Sequence, residues 1–160
     1  MHKPDHKPAA VSRFLPAEAD TLAFGAELGQ TLQPGLVIYL SGDLGAGKTT
    51  LARGMLRGLG YGGKVKSPTF TLVELYKVSS LYLYHFDFYR FDDPQELADA
   101  GFRDYFNPDS VCLIEWPEKA AAGLPVADVT VSMRIEGTGR RLEIFADTEA
   151  GKRCVERLRH

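Results

Sequence analysis

The chain has 160 residues, 44% of them hydrophobic and 25% charged, with a formal net charge of -2. That length favours one domain with a single sizeable core, and the composition is that of an ordinary globular chain. A charge this close to neutral argues against a nucleic-acid coat protein, no apolar run approaches the roughly 20 residues that span a bilayer, and the two cysteines lack the paired spacing of a zinc site or disulfide framework. Residues 1–10 are polar without an apolar signal core, and read as a flexible leader to a single domain over 11–160. A reduced, cytoplasmic setting and no membrane association are expected. Residues 11–15 are a short strand. Pro16, with the acids Glu18 and Asp20 behind it, opens a helix whose apolar positions include Leu22, Ala26 and Leu28, stopped by Pro34-Gly35. Residues 36–40 (Leu-Val-Ile-Tyr-Leu) are a continuous apolar run of the kind buried on both faces of a sheet.

A glycine-rich turn follows over 41–47, then a helix over 48–58 and a loop with three glycines over 60–66. Residues 69–78 and 81–88 read as two strands joined by a tight turn at Ser79-Ser80. Asp92-Asp93-Pro94 starts a helix to about Ala100, and 111–115 is another buried strand, placing Cys112 in the core as a reduced thiol. Residues 126–135 and 141–146 form a hairpin about Gly137, and a last helix runs over 148–158. This alternation predicts a three-layer α/β domain, with a mixed sheet that is parallel at its centre and has antiparallel additions.

The segment Gly42-Asp43-Leu44-Gly45-Ala46-Gly47-Lys48-Thr49 fits G-x-x-x-x-G-K-[ST], and Thr50 follows it. Glycines let backbone N–H groups crowd around phosphate oxygens, and the next helix points its positive end at the same anion. Lys48 is placed to reach the terminal phosphates of ATP, and the Thr49 hydroxyl to ligate Mg2+. An apolar strand directly before the motif and a helix directly after it are the context it requires. Such a site also needs an acid at the end of a neighbouring strand. Glu115, closing a run of four apolar residues, is favoured for the metal, and Asp87 is the candidate to assist the metal or position an attacking water. His85 reads as a packed or surface residue. Trp116 reads as packing or as flanking the nucleotide. Neither N-K-x-D nor D-x-x-G occurs, which favours ATP over GTP. A small kinase acting on a metabolite is the competing reading.

Further strings make the chain resemble one family: Ser67-Pro68-Thr69-Phe70, Tyr84-His85-Phe86-Asp87-Phe88-Tyr89-Arg90, Pro94-Gln95-Glu96-Leu97 with Gly101, and Ile114-Glu115-Trp116-Pro117. With the phosphate motif, they are similar to the TsaE (YjeE) family of bacterial tRNA threonylcarbamoyladenosine modification. The resemblance implies a P-loop fold and weak, partner-dependent ATPase activity. It implies TsaB and TsaD as partners, with tRNA approached only through that complex and the group transfer left to TsaD. It puts the metal on Thr49 and Glu115, hydrolysis on Asp87, and nucleotide contacts on Glu18 and Arg140. The pre-proline position makes 67–70 an extended loop where GTPases carry a γ-phosphate switch, so Ser67, Thr69 and Thr71 are candidate sensing residues. The basic run of Lys152, Arg153, Arg157 and Arg159 is either a solvated helix face or a direct tRNA contact.

Overall fold

The computed structural model describes residues 8–43, 45–68, 71–78, 81–90, 101–120 and 123–158. Seven strands make one sheet: β1 (Val11–Leu15), β2 (Val37–Ser41), β3 (Val73–Val78), β4 (Leu81–Asp87), β5 (Ser110–Glu115), β6 (Val129–Glu136) and β7 (Gly139–Ala146). Their spatial order is β1-β7-β6-β2-β5-β4-β3. The centre, β6-β2-β5-β4, is parallel throughout, while β1, β7 and β3 are added antiparallel. This is the mixed sheet the sequence predicts.

Periodicity explains the faces. Side chains alternate along each strand, so Ile38 and Leu40, Val111 and Leu113, and Val129 and Val131 point one way. They join a core with three helices, α1 (Glu18–Gly29), α2 (Lys48–Gly58) and α3 (Glu149–Glu156). The opposite face is aromatic. Phe86 and Phe88 pack there with Phe102 of a 3-10 turn (Phe102–Tyr105) and with Tyr105 and Phe106. Among the described residues, this face is therefore closed by a 3-10 turn and loops. The predicted helix over 92–100 and the turn at Ser79-Ser80 lie outside the described residues.

Helices α1 and α2 touch backbone to backbone. A Cβ on Gly29 would run into the Met55 carbonyl oxygen, and one on Gly54 into that of Leu22. Both positions have to be glycine for the helices to sit this close. The arrangement fixes the start of α1 against the start of α2, where the phosphate motif lies.

Several boundaries differ from the pattern reading. Helix α1 begins at Glu18, so Pro16 precedes it, and the Ala17 N–H is satisfied by Asp20 Oδ2 at 3.0 Å. β3 begins at Val73, four residues after the predicted start, because Leu72 takes a left-handed conformation (φ 70°) and its N–H turns back to the Pro68 carbonyl. β6 begins at Val129, and Val126 is exposed. The tail's charges are partly committed within the fold: Arg157 donates twice to the Thr31 carbonyl, at 3.0 and 2.7 Å, and Lys152 pairs with Glu149 at 3.2 Å. Cys112 is buried, and burial pushes its thiol pKa up to about 12, as expected of an inert core cysteine. No helix of the described residues is long and apolar enough to cross a membrane.

Candidate functional site

Three parallel strands stop at one level. Leu40 of β2 pairs with Glu115 of β5, and Glu115 pairs with Asp87 of β4. The C-terminal edge of a parallel sheet is where α/β folds build their sites, because the loops there leave the strands on the same side. Here β2 releases the glycine-rich loop, while β5 and β4 each end on an acid.

The loop holds three glycines, Gly42, Gly45 (φ 81°) and Gly47, in a conformation that side chains rarely adopt. Gly42 has φ 147° and lies against the Met133 carbonyl of β6, where a Cβ would collide. Gly47 has φ 101° and is the cap residue of α2. A brace comes from β7: Arg140 Nη2 donates to the Gly45 carbonyl at 3.0 Å and Nη1 to the Gly139 carbonyl at 2.9 Å. Asp43 is exposed, and its carbonyl accepts the Ala46 N–H at 3.1 Å. Leu44 lies outside the described residues.

Lys48 opens α2 and is only 5% exposed. Its Nζ donates to the Gly42 carbonyl at 2.5 Å and sits 3.9 Å from the centroid of the Trp116 ring. Burial lowers the Lys48 pKa, opposed by the charges of Glu115 and Asp87. Trp116 has φ 57°, an outlier for a bulky residue. The turn directs its ring beneath Lys48 and against Tyr89, at 5.0 Å between centroids.

Asp87 is 7% exposed. Its Oδ1 accepts the Tyr89 N–H at 2.9 Å, and its own N–H donates to the Leu72 carbonyl at 3.0 Å. Desolvation by burial pushes its carboxyl above the ordinary range, and Glu115 adds to this; the Tyr89 N–H, His85 and Lys48 oppose it. Glu115 is 3% exposed, and its Oε2 lies 2.6 Å from His85 Nε2.

Lys48, Thr49, Asp87 and Glu115 all line one cavity of about 450 Å³. That volume falls in the range of small-molecule pockets. Its other wall is formed by residues 15–18 and the hairpin turn at 138–140, which brings Glu18 and Arg140 to the same space. Thr50 lines it as well and reaches Glu18 Oε2 at 3.5 Å. Ser67 and Thr71 do not line it: Thr71 Oγ1 donates to Glu74 Oε2 at 2.8 Å on the β3 side. Thr69 lies outside the described residues. Sequence reasoning did not single out Thr21 and Thr138, which also line the cavity, and it gave His85 no bond to Glu115. The first two carry no local signal. The third needed the β4–β5 register.

The donor set suits magnesium. Thr49 and the two acids offer hard oxygen atoms, and Mg2+ is commonly held by one or two carboxylates with the remaining positions on phosphates and water. Among the described residues, no group of three or more His, Cys, Asp or Glu could hold a metal ion alone.

The sequence model of the family described as "Threonylcarbamoyl adenosine biosynthesis protein TsaE" matches residues 15–142. The chain belongs to the TsaE family. A TsaE protein of Haemophilus influenzae is 47% identical over 151 residues, covering 91% of this chain and 96% of that one. A TsaE of Bacillus subtilis is 41% identical over 132 residues, covering 80% and 81% respectively. The crystal structure of Bacillus YdiB superposes with a TM-score of 0.74 at 28% identity, covering 92% of this chain and 93% of that chain. The TsaE match spans every element that lines the cavity, from Leu15 to Arg140. TsaE proteins serve tRNA threonylcarbamoyladenosine biosynthesis, as the relatives' names state.

Proposed function

We propose that this chain is the Mg-dependent ATPase component of tRNA threonylcarbamoyladenosine formation, acting on a TsaB–TsaD complex without transferring the threonylcarbamoyl group itself. The observation that carries this reading is the convergence on one cavity of the phosphate loop, Lys48, Thr49 and the two strand-end acids. Loop amides between Gly42 and Thr49 cradle the phosphates, and the positive end of α2 faces the same charge. Lys48 gives its ammonium to the terminal phosphate oxygens, which return the charge stabilisation that burial withdraws from it. Thr49 and Glu115 hold magnesium, which screens phosphate charge. Asp87, its carboxyl shifted toward proton affinity by burial, orients the attacking water and receives its hydrogen bond. Glu18 and Arg140 border the nucleotide on the α1 side. Ser67, Thr69 and Thr71 follow nucleotide state through the link from Leu72 to the Asp87 N–H. Contact with tRNA is indirect, through the partner complex.

The test is ATP hydrolysis with and without TsaB–TsaD, for the native chain and for Glu115→Ala. Slow turnover that the pair accelerates and Glu115→Ala abolishes supports the proposal. Turnover and complex formation unchanged by the pair would refute the partner assignment. Transfer of the γ-phosphate to a metabolite without any protein partner would make the chain a kinase.

A further inference from the structure

In the sequence His85 reads as a packed or surface residue, and in the structure it is fully buried on the helix side of β4. On that face it has apolar Leu83 and Leu113 on one side and the strand-end acids Asp87 and Glu115 on the other. Its Nε2 lies 2.6 Å from Oε2 of Glu115, two positions further along β5 than its register partner Leu113. A carboxylate oxygen accepts, so Nε2 carries the hydrogen. Nδ1 is the one buried side-chain polar atom without a hydrogen-bond partner among the described residues. Leaving it so costs the desolvation of that nitrogen with nothing in return, and a leucine or phenylalanine here would avoid the loss. The hydrogen bond the imidazole makes, and an apolar side chain could not, is the N–H to Glu115.

That N–H matters because of where Glu115 sits. It is the last residue of β5, and the chain turns sharply away at Trp116. A glutamate at a strand end has many rotamers open to it, and the His85 bond selects among them. We propose that His85 is a positioning residue, which fixes the Glu115 carboxylate in the orientation that receives the magnesium of a magnesium–nucleotide complex. The proposal rests on the reading of Glu115 as the metal acid. Partners of this kind orient the ligand and typically change metal affinity 10–100-fold when lost.

Two amide variants separate positioning from packing. Glutamine places its NH2 near the site of the imidazole Nε2, while asparagine places its own nearer Nδ1, short of Glu115. ATP affinity is measured by calorimetry in magnesium and in EDTA for the native chain, His85→Gln and His85→Asn. The expected result is equal affinity in EDTA for all three, with the magnesium enhancement kept within a few-fold by His85→Gln and reduced about 10–100-fold by His85→Asn. Equal enhancement in all three, or equal loss in both variants, overturns the proposal while leaving the nucleotide reading intact. No magnesium enhancement in the native chain overturns both. Should His85→Asn fail to fold, imidazole 15N spectra of the native chain carry the test. An Nε2–H signal that shifts with ATP in magnesium but not with ATP in EDTA supports positioning, and identical spectra refute it.

Discussion

The two faces of the central strands are built from alternate residues of the same strands, yet they hold opposite chemistry. On the helix face, β4 and β5 end in His85, Asp87 and Glu115, all nearly buried, with Lys48 beside them. On the other face the same strands carry Tyr84, Phe86, Cys112 and Ile114, packed against an aromatic cluster. The difference shows how an α/β sheet tolerates buried charge. The two acids sit in the final row, where the strands end, with His85 one step behind them on the same face. The aromatic layer behind them supplies the burial that holds that row in place. Substitutions in the aromatic layer should therefore cost stability with little effect on affinity, and those in the charged row the reverse.

Phe86→Ala should give the largest effect. It removes a fully buried ring that touches Phe88, Phe102, Tyr105 and Phe106. A loss of about 3–5 kcal/mol is expected in urea unfolding, with nucleotide affinity in the folded fraction little changed. Affinity falling in step with stability would break the division between faces.

Lys48→Ala should do the reverse. If Lys48 serves the phosphates as proposed, its removal is expected to weaken ATP binding by about 2–5 kcal/mol, while unfolding stability holds or rises because a desolvated ammonium is gone. The emission of Trp116, the chain's one tryptophan, offers the readout, since its ring lies under Lys48. A clear loss of stability in this variant would mean that the lysine serves the fold as much as the ligand.

Gly29→Ala should cost less, about 1–3 kcal/mol in urea unfolding, because its new methyl meets the Met55 backbone, which cannot step aside as a side chain could. An unchanged midpoint would show that α1 and α2 can separate freely.

The smallest effect is expected from Asp87→Asn without nucleotide. Burial raises the carboxyl's folded-state pKa above its ordinary 3.8, so its contribution is most favourable below 3.8 and is lost as pH rises through the folded value. The variant should therefore be slightly more stable than the native chain near neutral pH. The gain should vanish as pH falls toward 3.8. A gain that grows in acid would reverse the assigned sign.

Local pattern was enough for much of this molecule. The phosphate motif is written in eight consecutive positions, three of them glycines at positive φ, and the apolar runs before it and before Glu115 are visible without partners. The mixed sheet follows from the alternation of such runs with helical segments. Boundaries were less legible where one residue departs from its usual conformation: Leu72 delays β3, and nothing in its side chain announces φ 70°.

What the sequence determined by itself was chemistry tied to neighbouring residues: the cradle between Gly42 and Thr49, an acid at the end of each of two strands, and kinship with TsaE. The tertiary structure decided which separate pieces meet. It set β2, β5 and β4 side by side so that Leu40, Glu115 and Asp87 share a row, brought Arg140 from β7 to brace Gly45, and turned His85 from packing into a partner of Glu115. The physical reason is that strand order and register arise from burial summed over the whole sheet, which no short segment encodes.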